Sequence, residues 1–269
     1  MWIGRVGKVE YNFLFKCIRS VNILYTFFCL CVIINIMKKD LEYTKMACFY
    51  DELYKNKNYK REVCFIEKFL NSKEDKILDA GCGTGNHAKI LQDKGYNIYG
   101  FDLSPQMVEI ANKKVNNNFE VGNLLSYSTD KSYDVIVSFY AVFNHLKSYQ
   151  EFSFALQNLL KALNNKGTLI IDLHNPQKNG VKVDKFDSVK RIMQWKINKL
   201  LKKETSKITY IVGNNKYVTK HKFKIFEIEK IKMICDNLNL SCEFYENYEI
   251  NSVATQSSKN IQVVIKKSL

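Results

Sequence analysis

Beyond residue 60 the apolar positions alternate between two spacings. Val63, Ile66, Phe69 and Leu70 recur at helical spacing after a polar, tyrosine-rich stretch within residues 49–69. A compact apolar run at 76–80 (KILDA) is followed by glycines and then by a helical stretch at 86–94. Further strand-like runs lie at 96–102, 119–123, 134–139 and 167–173. Between the last two, Phe152, Leu156, Leu159, Leu160 and Leu163 mark a helix over 149–163. Strands alternating with helices predict an α/β domain with helices on both faces of a sheet.

Downstream the rhythm changes. Residues 207–212 and 217–226 read as two strands around Gly213-Asn214-Asn215, a hairpin signal. A helix over 227–238 and two last, partly antiparallel strands at 241–245 and 261–266 complete the pattern. At the other end, residues 21–37 form an uncharged apolar run at the lower length limit for a membrane span. Lysines or arginines flank it on both sides, and Ile36, Met37 and Lys38 offer no small-residue cleavage site. Two readings stay open for residues 1–36: an extension preceding a start at Met37, or a single-pass anchor giving membrane association. The remainder, 37–269, reads as one domain in a cytoplasmic, reducing setting.

The chemistry concentrates behind the run at 76–80. Gly81, Gly83 and Gly85 fall within five residues between a strand and a helix, so the backbone can approach a ligand where a β-carbon would not fit. The spacing is GxGxG and not the GxGxxG of a dinucleotide site, and Asp79 stands two residues before the first glycine. A carboxylate there suits a cationic ammonium better than a phosphate. Asp102, at the end of the next strand, is placed for ribose hydroxyls.

With these residues the sequence resembles the class I S-adenosylmethionine-dependent methyltransferases, whose first motif reads like ILDAGCGTG at 77–85. The resemblance runs from about Met37 to the carboxyl terminus. It implies a Rossmann-like, doubly wound, mostly parallel sheet of seven strands, with an antiparallel cover inserted over 178–226 on the acceptor side. It implies S-adenosyl-L-methionine as cofactor, held by Asp79, Gly81, Cys82, Gly83, Thr84 and Gly85 at the methionine end. Asp102 and Leu103 would lie at the ribose, with Gly122, Asn123, Leu124 and Ser138 completing the site. The family usually has Asp where Asn123 stands, although an amide oxygen still accepts a hydrogen bond from the adenine amino group.

The run VSFYAVFNHLKSYQEF and the YDELYKNKNYKRE stretch are similar to a small-molecule branch that includes N-methyltransferases of nucleotide-linked amino sugars. That similarity makes His145 the candidate base or orienting residue, against a packed loop histidine. Tyr43 and Tyr50 are candidates for shaping the acceptor pocket, against core aromatics. His174 is a further candidate, against a capping or solvent role. The expected function is methyl transfer to a nitrogen or oxygen of a small molecule, an amino sugar being one example. RNA methylation and a non-catalytic cofactor-binding module, with Asn123 marking lost activity, are the alternatives. Pro105 and Pro176 are the only prolines and both precede Gln, so neither an NPPY motif nor a Pro-Cys nucleophile exists in the chain.

Composition changes the picture in one respect. The net charge of +14 invites an anionic partner, yet residues 178–232 hold 16 basic against 5 acidic side chains and account for most of it. A basic cover suits a phosphate-bearing acceptor, with Lys216, Lys220, Lys222 and Lys224 as contacts, or is a solvated lysine face. The eight cysteines and four histidines show no metal-site spacing, so no metal is expected.

Overall fold

The computed structural model describes residues 47 and 49–267; the apolar run at 21–37 and Tyr43 lie outside the described residues. Two sheets build the domain. The larger contains β1 (Lys76–Ala80), β2 (Asn97–Asp102), β3 (Phe119–Val121), β4 (Tyr133–Ser138), β5 (Leu163–His174), β10 (Leu240–Glu246), β11 (Glu249–Val253) and β12 (Asn260–Lys267). Their order is β11-β10-β12-β5-β4-β1-β2-β3, with β1 to β5 parallel and β12 antiparallel between β5 and β10. The smaller antiparallel sheet runs β6 (Gly180–Lys185), β7 (Val189–Asn198), β8 (Lys203–Val212), β9 (Asn215–Lys224).

The period-two alternation of strand side chains divides the core in two. Leu78, Ala80, Ile136, Leu169 and Ile171 face one way, against α4 (Tyr149–Lys161) and α5 (Ile228–Asn237). Ile77, Val135, Val137 and Ile170 face the other, against α1 (Tyr59–Glu67), α2 (Asn86–Asp93) and α3 (Pro105–Lys114). Side-chain caps start three of these helices: Asn58, Ser104 and Ser148 accept from the N–H groups of Arg61, Met107 and Glu151. The strand order reverses between β1 and β4, so the loops after β1, β2, β3 and β4 gather at one end of the sheet.

The parallel half follows the expectation closely, whereas three strands go beyond it. β11 adds an eighth strand at the sheet edge, and β6 and β7 double the expected hairpin into a four-stranded cover. β6 (GVKVDK) and β11 (EINSV) hold only two apolar residues each, too few for a strand signal, whereas β7 (VKRIMQWKIN) carries five without strict alternation. The helical stretch expected across 49–69 is interrupted, with turns at 54–56 before α1.

The cover is tied to the main sheet through one amide. Asn144, fully buried in the 3₁₀ turn Phe143–His145, donates through Nδ2 to the carbonyls of His174 (3.0 Å) and Lys224 (2.7 Å). Its Oδ1 accepts from the His174 N–H at 2.8 Å. Asn144→Ala leaves these backbone groups without that partner and is expected to destabilise the fold by about 3 kcal/mol. A denaturant titration showing a change under about 0.5 kcal/mol would contradict this linking role.

Candidate cofactor and acceptor site

The loop after β1 is held from behind by β2. The N–H groups of Gly81 and Cys82 both donate to the Phe101 carbonyl, at 2.8 and 3.0 Å. Gly81 has φ +90°, and a β-carbon there would lie 2.5 Å from Val142 Cγ2. Gly83 and Gly85 also adopt positive φ, at +53° and +75°. Only glycine satisfies this conformation and approach together.

Asp79 is 2% exposed, and its Oδ2 has no hydrogen-bond partner. Burial pushes its carboxyl up to about 6; nearby His87 and Lys57 oppose the rise and Asp102 adds to it. A buried acceptor with an unused oxygen fits the ammonium of a methionine moiety. Asp102 presents a half-buried carboxylate whose Oδ2 accepts from Gly83 N–H and Oδ1 from Ser104 N–H, both at 2.9 Å. These bonds orient it and leave lone pairs for ribose hydroxyls. Asn123 Oδ1 accepts from Leu125 N–H at 2.9 Å, so its amide is orientated at the end of β3.

The other residues expected at the cofactor divide. Gly122 packs against Phe101, and Leu103 is half-buried beside Asp102. Thr84 is buried and its hydroxyl donates to Asp51 at 2.6 Å, which joins the loop to the segment before α1. Cys82 and Leu124 bury their side chains in the two core clusters, so any contact from them uses backbone. Ser138 is fully buried and donates to the Ala80 carbonyl at 2.8 Å, bracing β4 against β1.

The acceptor side is walled by aromatic rings. Tyr50 lies 4.0 Å from where a Gly83 β-carbon would stand, and its ring is 4.6 Å from Tyr54. Tyr54 meets Tyr140 edge-on at 4.9 Å. Tyr140 keeps 40% of its surface accessible, with Lys57 Nζ 4.3 Å from its ring centroid. Its backbone has φ +66° and that of Ala141 φ +61°, two left-handed non-glycine residues in succession. Asp172 Oδ2 accepts from the Tyr140 N–H (3.2 Å) and from the Tyr248 hydroxyl (2.9 Å).

Three of the four histidines meet under the cover. His145 is half-buried, with its ring 4.7 Å from Phe223 and 6.3 Å from His221. His174 Nε2 lies 3.1 Å from the buried Glu204. The fourth, His87, is bonded to Glu62, which also pairs with Lys57 at 2.7 Å. Burial would raise the Glu62 carboxyl, but His87 and Lys57 together hold it below its usual value. Sequence reasoning passed over Asp51, Glu62, His87 and Asp172, which bond partners at least 25 residues away in the chain, and Lys57, which joins Glu62 outside any motif.

Residues 77–167 match the family model described as a methyltransferase domain. An uncharacterized protein of Methanocaldococcus jannaschii is 32% identical over 194 residues, covering 69% of this chain and 70% of the relative. The chain belongs to the S-adenosylmethionine-dependent methyltransferases. YqeM of Bacillus subtilis, which carries a methyltransferase name, is 30% identical over 138 residues, covering 49% of this chain and 56% of the relative. Among solved structures, a methyltransferase from Clostridium acetobutylicum superposes with a TM-score of 0.72 at 19% identity, covering 84% of this chain and 99% of that one. CalS10 from Micromonospora echinaspora, described as an amino pentose methyltransferase, has a TM-score of 0.65 at 15% identity, covering 81% and 96%. At those identities the two structures speak for the fold.

For this methyltransferase, the raised Asp79 carboxyl sets a pH dependence. Binding an ammonium favours the ionised carboxylate, so affinity for S-adenosylmethionine should fall as pH drops below about 6, by up to about tenfold per pH unit. Asp79→Asn should flatten this dependence and weaken binding by at least about tenfold at pH 7.5. Calorimetry between pH 5 and 7.5 reads both, and wild-type affinity that stayed constant over that range would remove Asp79 as the ammonium partner.

Proposed function

We propose that this methyltransferase acts on a nitrogen or oxygen nucleophile of a small polar molecule, of which an amino sugar is one instance. The observation that carries the reading is the placement of the cover. Its inner face packs on Tyr54 and on the His145 turn, and Tyr50, 4.6 Å from Tyr54, lies 4.0 Å from where a Gly83 β-carbon would stand, so a chain of rings joins the cover to the glycine loop. The fold likeness to the amino pentose methyltransferase CalS10 agrees with a small acceptor.

S-adenosylmethionine, when bound, supplies an electrophilic methyl carbon on a sulfonium. The residues here have to align the nucleophile, exclude water and accept a proton. Tyr50, Tyr54 and Tyr140 form the wall that excludes water. His145 is the candidate base or orienting group, half-buried at the cover side of the cleft. Tyr43 lies outside the described residues.

RNA methylation has less support. The lysines that would form its platform alternate with the inner-face residues: Lys216, Lys220, Lys222 and Lys224 interleave with Tyr217, Thr219, His221 and Phe223 along β9. The first three lysines are exposed and Lys224 half-exposed, on the face turned from the cleft.

Incubating the enzyme and methyl-labelled cofactor with a cell extract, then separating small molecules from RNA, tests the reading. Label is expected in the small-molecule fraction, and His145→Ala is expected to lower turnover by about 10²-fold or more. Label confined to RNA would overturn the proposal, and undiminished turnover in His145→Ala would remove that residue's role.

A further inference from the structure

Two buried donors on the inner face of the cover have nothing to donate to. Arg191 on β7 and Tyr210 on β8 stand directly opposite each other, 5% and 2% exposed. The Arg191 guanidinium lies over the Tyr54 ring, 5.0 Å from its centroid, and 5.3 Å from that of Phe186. Nε and Nη2 donate to Asp184 Oδ2, at 3.0 and 2.6 Å. Nη1 has no partner, and neither has the Tyr210 hydroxyl. Thr219 lies near that hydroxyl without completing a hydrogen bond. Buried donors are nearly always hydrogen-bonded, so two unpartnered ones on directly opposed residues call for a ligand.

The character of that ligand follows from the donors. Nη1 can only donate, and burial pushes the Tyr210 phenol above its usual range, which keeps its proton in place. Lys182 also bonds Asp184, at 3.0 Å, so two cations surround one carboxylate and the cluster carries a net positive charge. Tyr210 further lines a cavity of about 140 Å³ with Phe49, Leu53, Tyr217 and Thr219, and exposed Lys216 joins that lining. A phenol and a lysine lining a cavity, with an unpartnered guanidinium nitrogen on the residue directly opposite that phenol, match an oxyanion.

We propose that Arg191 and Tyr210 form a subsite for an anionic group, phosphate or carboxylate, carried by the methyl acceptor. This rests on the small-acceptor reading above, since it places the anion across Tyr54 and Tyr140 from the glycine loop. The lysines of the outer face take no part, apart from Lys216 at the cavity.

The full chain is tested by thermal shift and calorimetry with inorganic phosphate and, separately, with acetate, against chloride at equal ionic strength. At least one of the two anions is expected to bind and raise the melting temperature, and the tighter of them names the group. Tyr210→Phe removes one hydroxyl and should weaken binding about tenfold, and Arg191→Gln should abolish it. Tyr210→Phe keeps the test valid if loss of the Asp184 pair unfolds Arg191→Gln. No binding of either anion, or equal binding in wild type and Tyr210→Phe, would overturn the subsite. Labelled-methyl transfer to paired amines with and without a phosphate separates the two ideas. Tyr210-dependent anion binding with label found only in RNA keeps the subsite and removes the small-acceptor reading. Transfer to neutral and phosphorylated members alike, without anion binding, keeps that reading and removes the subsite.

Discussion

The site depends on keeping one carboxylate dry. Asp79 ends β1 on the face turned toward α1 and α2, where water is excluded and one of its oxygens finds no hydrogen. Left ionised, it is costly to bury, and the surroundings compensate only in part. Glu62 of α1 and His87 of α2 bond to each other nearby, and Lys57 closes the network on Glu62. The three groups pack two helices around the strand end without satisfying Asp79 itself. An unpartnered buried oxygen of this kind fits a cation, and the glycine loop immediately behind it leaves room for a ligand to approach.

A second constraint lies across the cleft. Tyr140 and Ala141 hold left-handed backbone without being glycine, at a cost of about 1–2 kcal/mol each. Asp172 offsets this by accepting the Tyr140 N–H, and is itself fixed by the Tyr248 hydroxyl and by Gln262 Nε2 at 3.3 Å. Gln262 belongs to β12 and Tyr248 to the turn before β11. The antiparallel end of the sheet therefore does more than extend it, because it braces the turn that carries Tyr140. Val142 follows in the same turn and fills the space above Gly81, which links the strained segment to the cofactor loop.

The parallel half and its cofactor loop were legible because each signal there is local. An apolar strand, three glycines and a following helix occur within twenty residues, and an acid ends the next strand on schedule. Contacts that join distant stretches leave no such trace: Asp51 with Thr84, Glu62 with His87, and Asn144 with the ends of β5 and β9. Ser138 and Leu124, expected at the cofactor, also brace the core: the Ser138 hydroxyl donates to the Ala80 carbonyl and the Leu124 side chain packs among core residues. β6 escaped because, with only Val181 and Val183 apolar, it lacks the density by which strands are read, and β7 because its apolar residues do not alternate strictly.

Charge on the cover separates by the same alternation. Lys203 stands opposite Lys224 and Lys207 opposite Lys220, like charges paired across the outer face, each pair unfavourable by up to about 1 kcal/mol. Exposure and screening by salt keep that cost small, so such a face can accumulate lysine without any ligand requiring it. The inner face carries fewer cations under stricter conditions. Arg191 there is buried, half-committed to Asp184, and directly opposite an equally unsatisfied phenol. Desolvation makes that one guanidinium a stronger statement about the acceptor than the exposed lysines that account for much of the net charge.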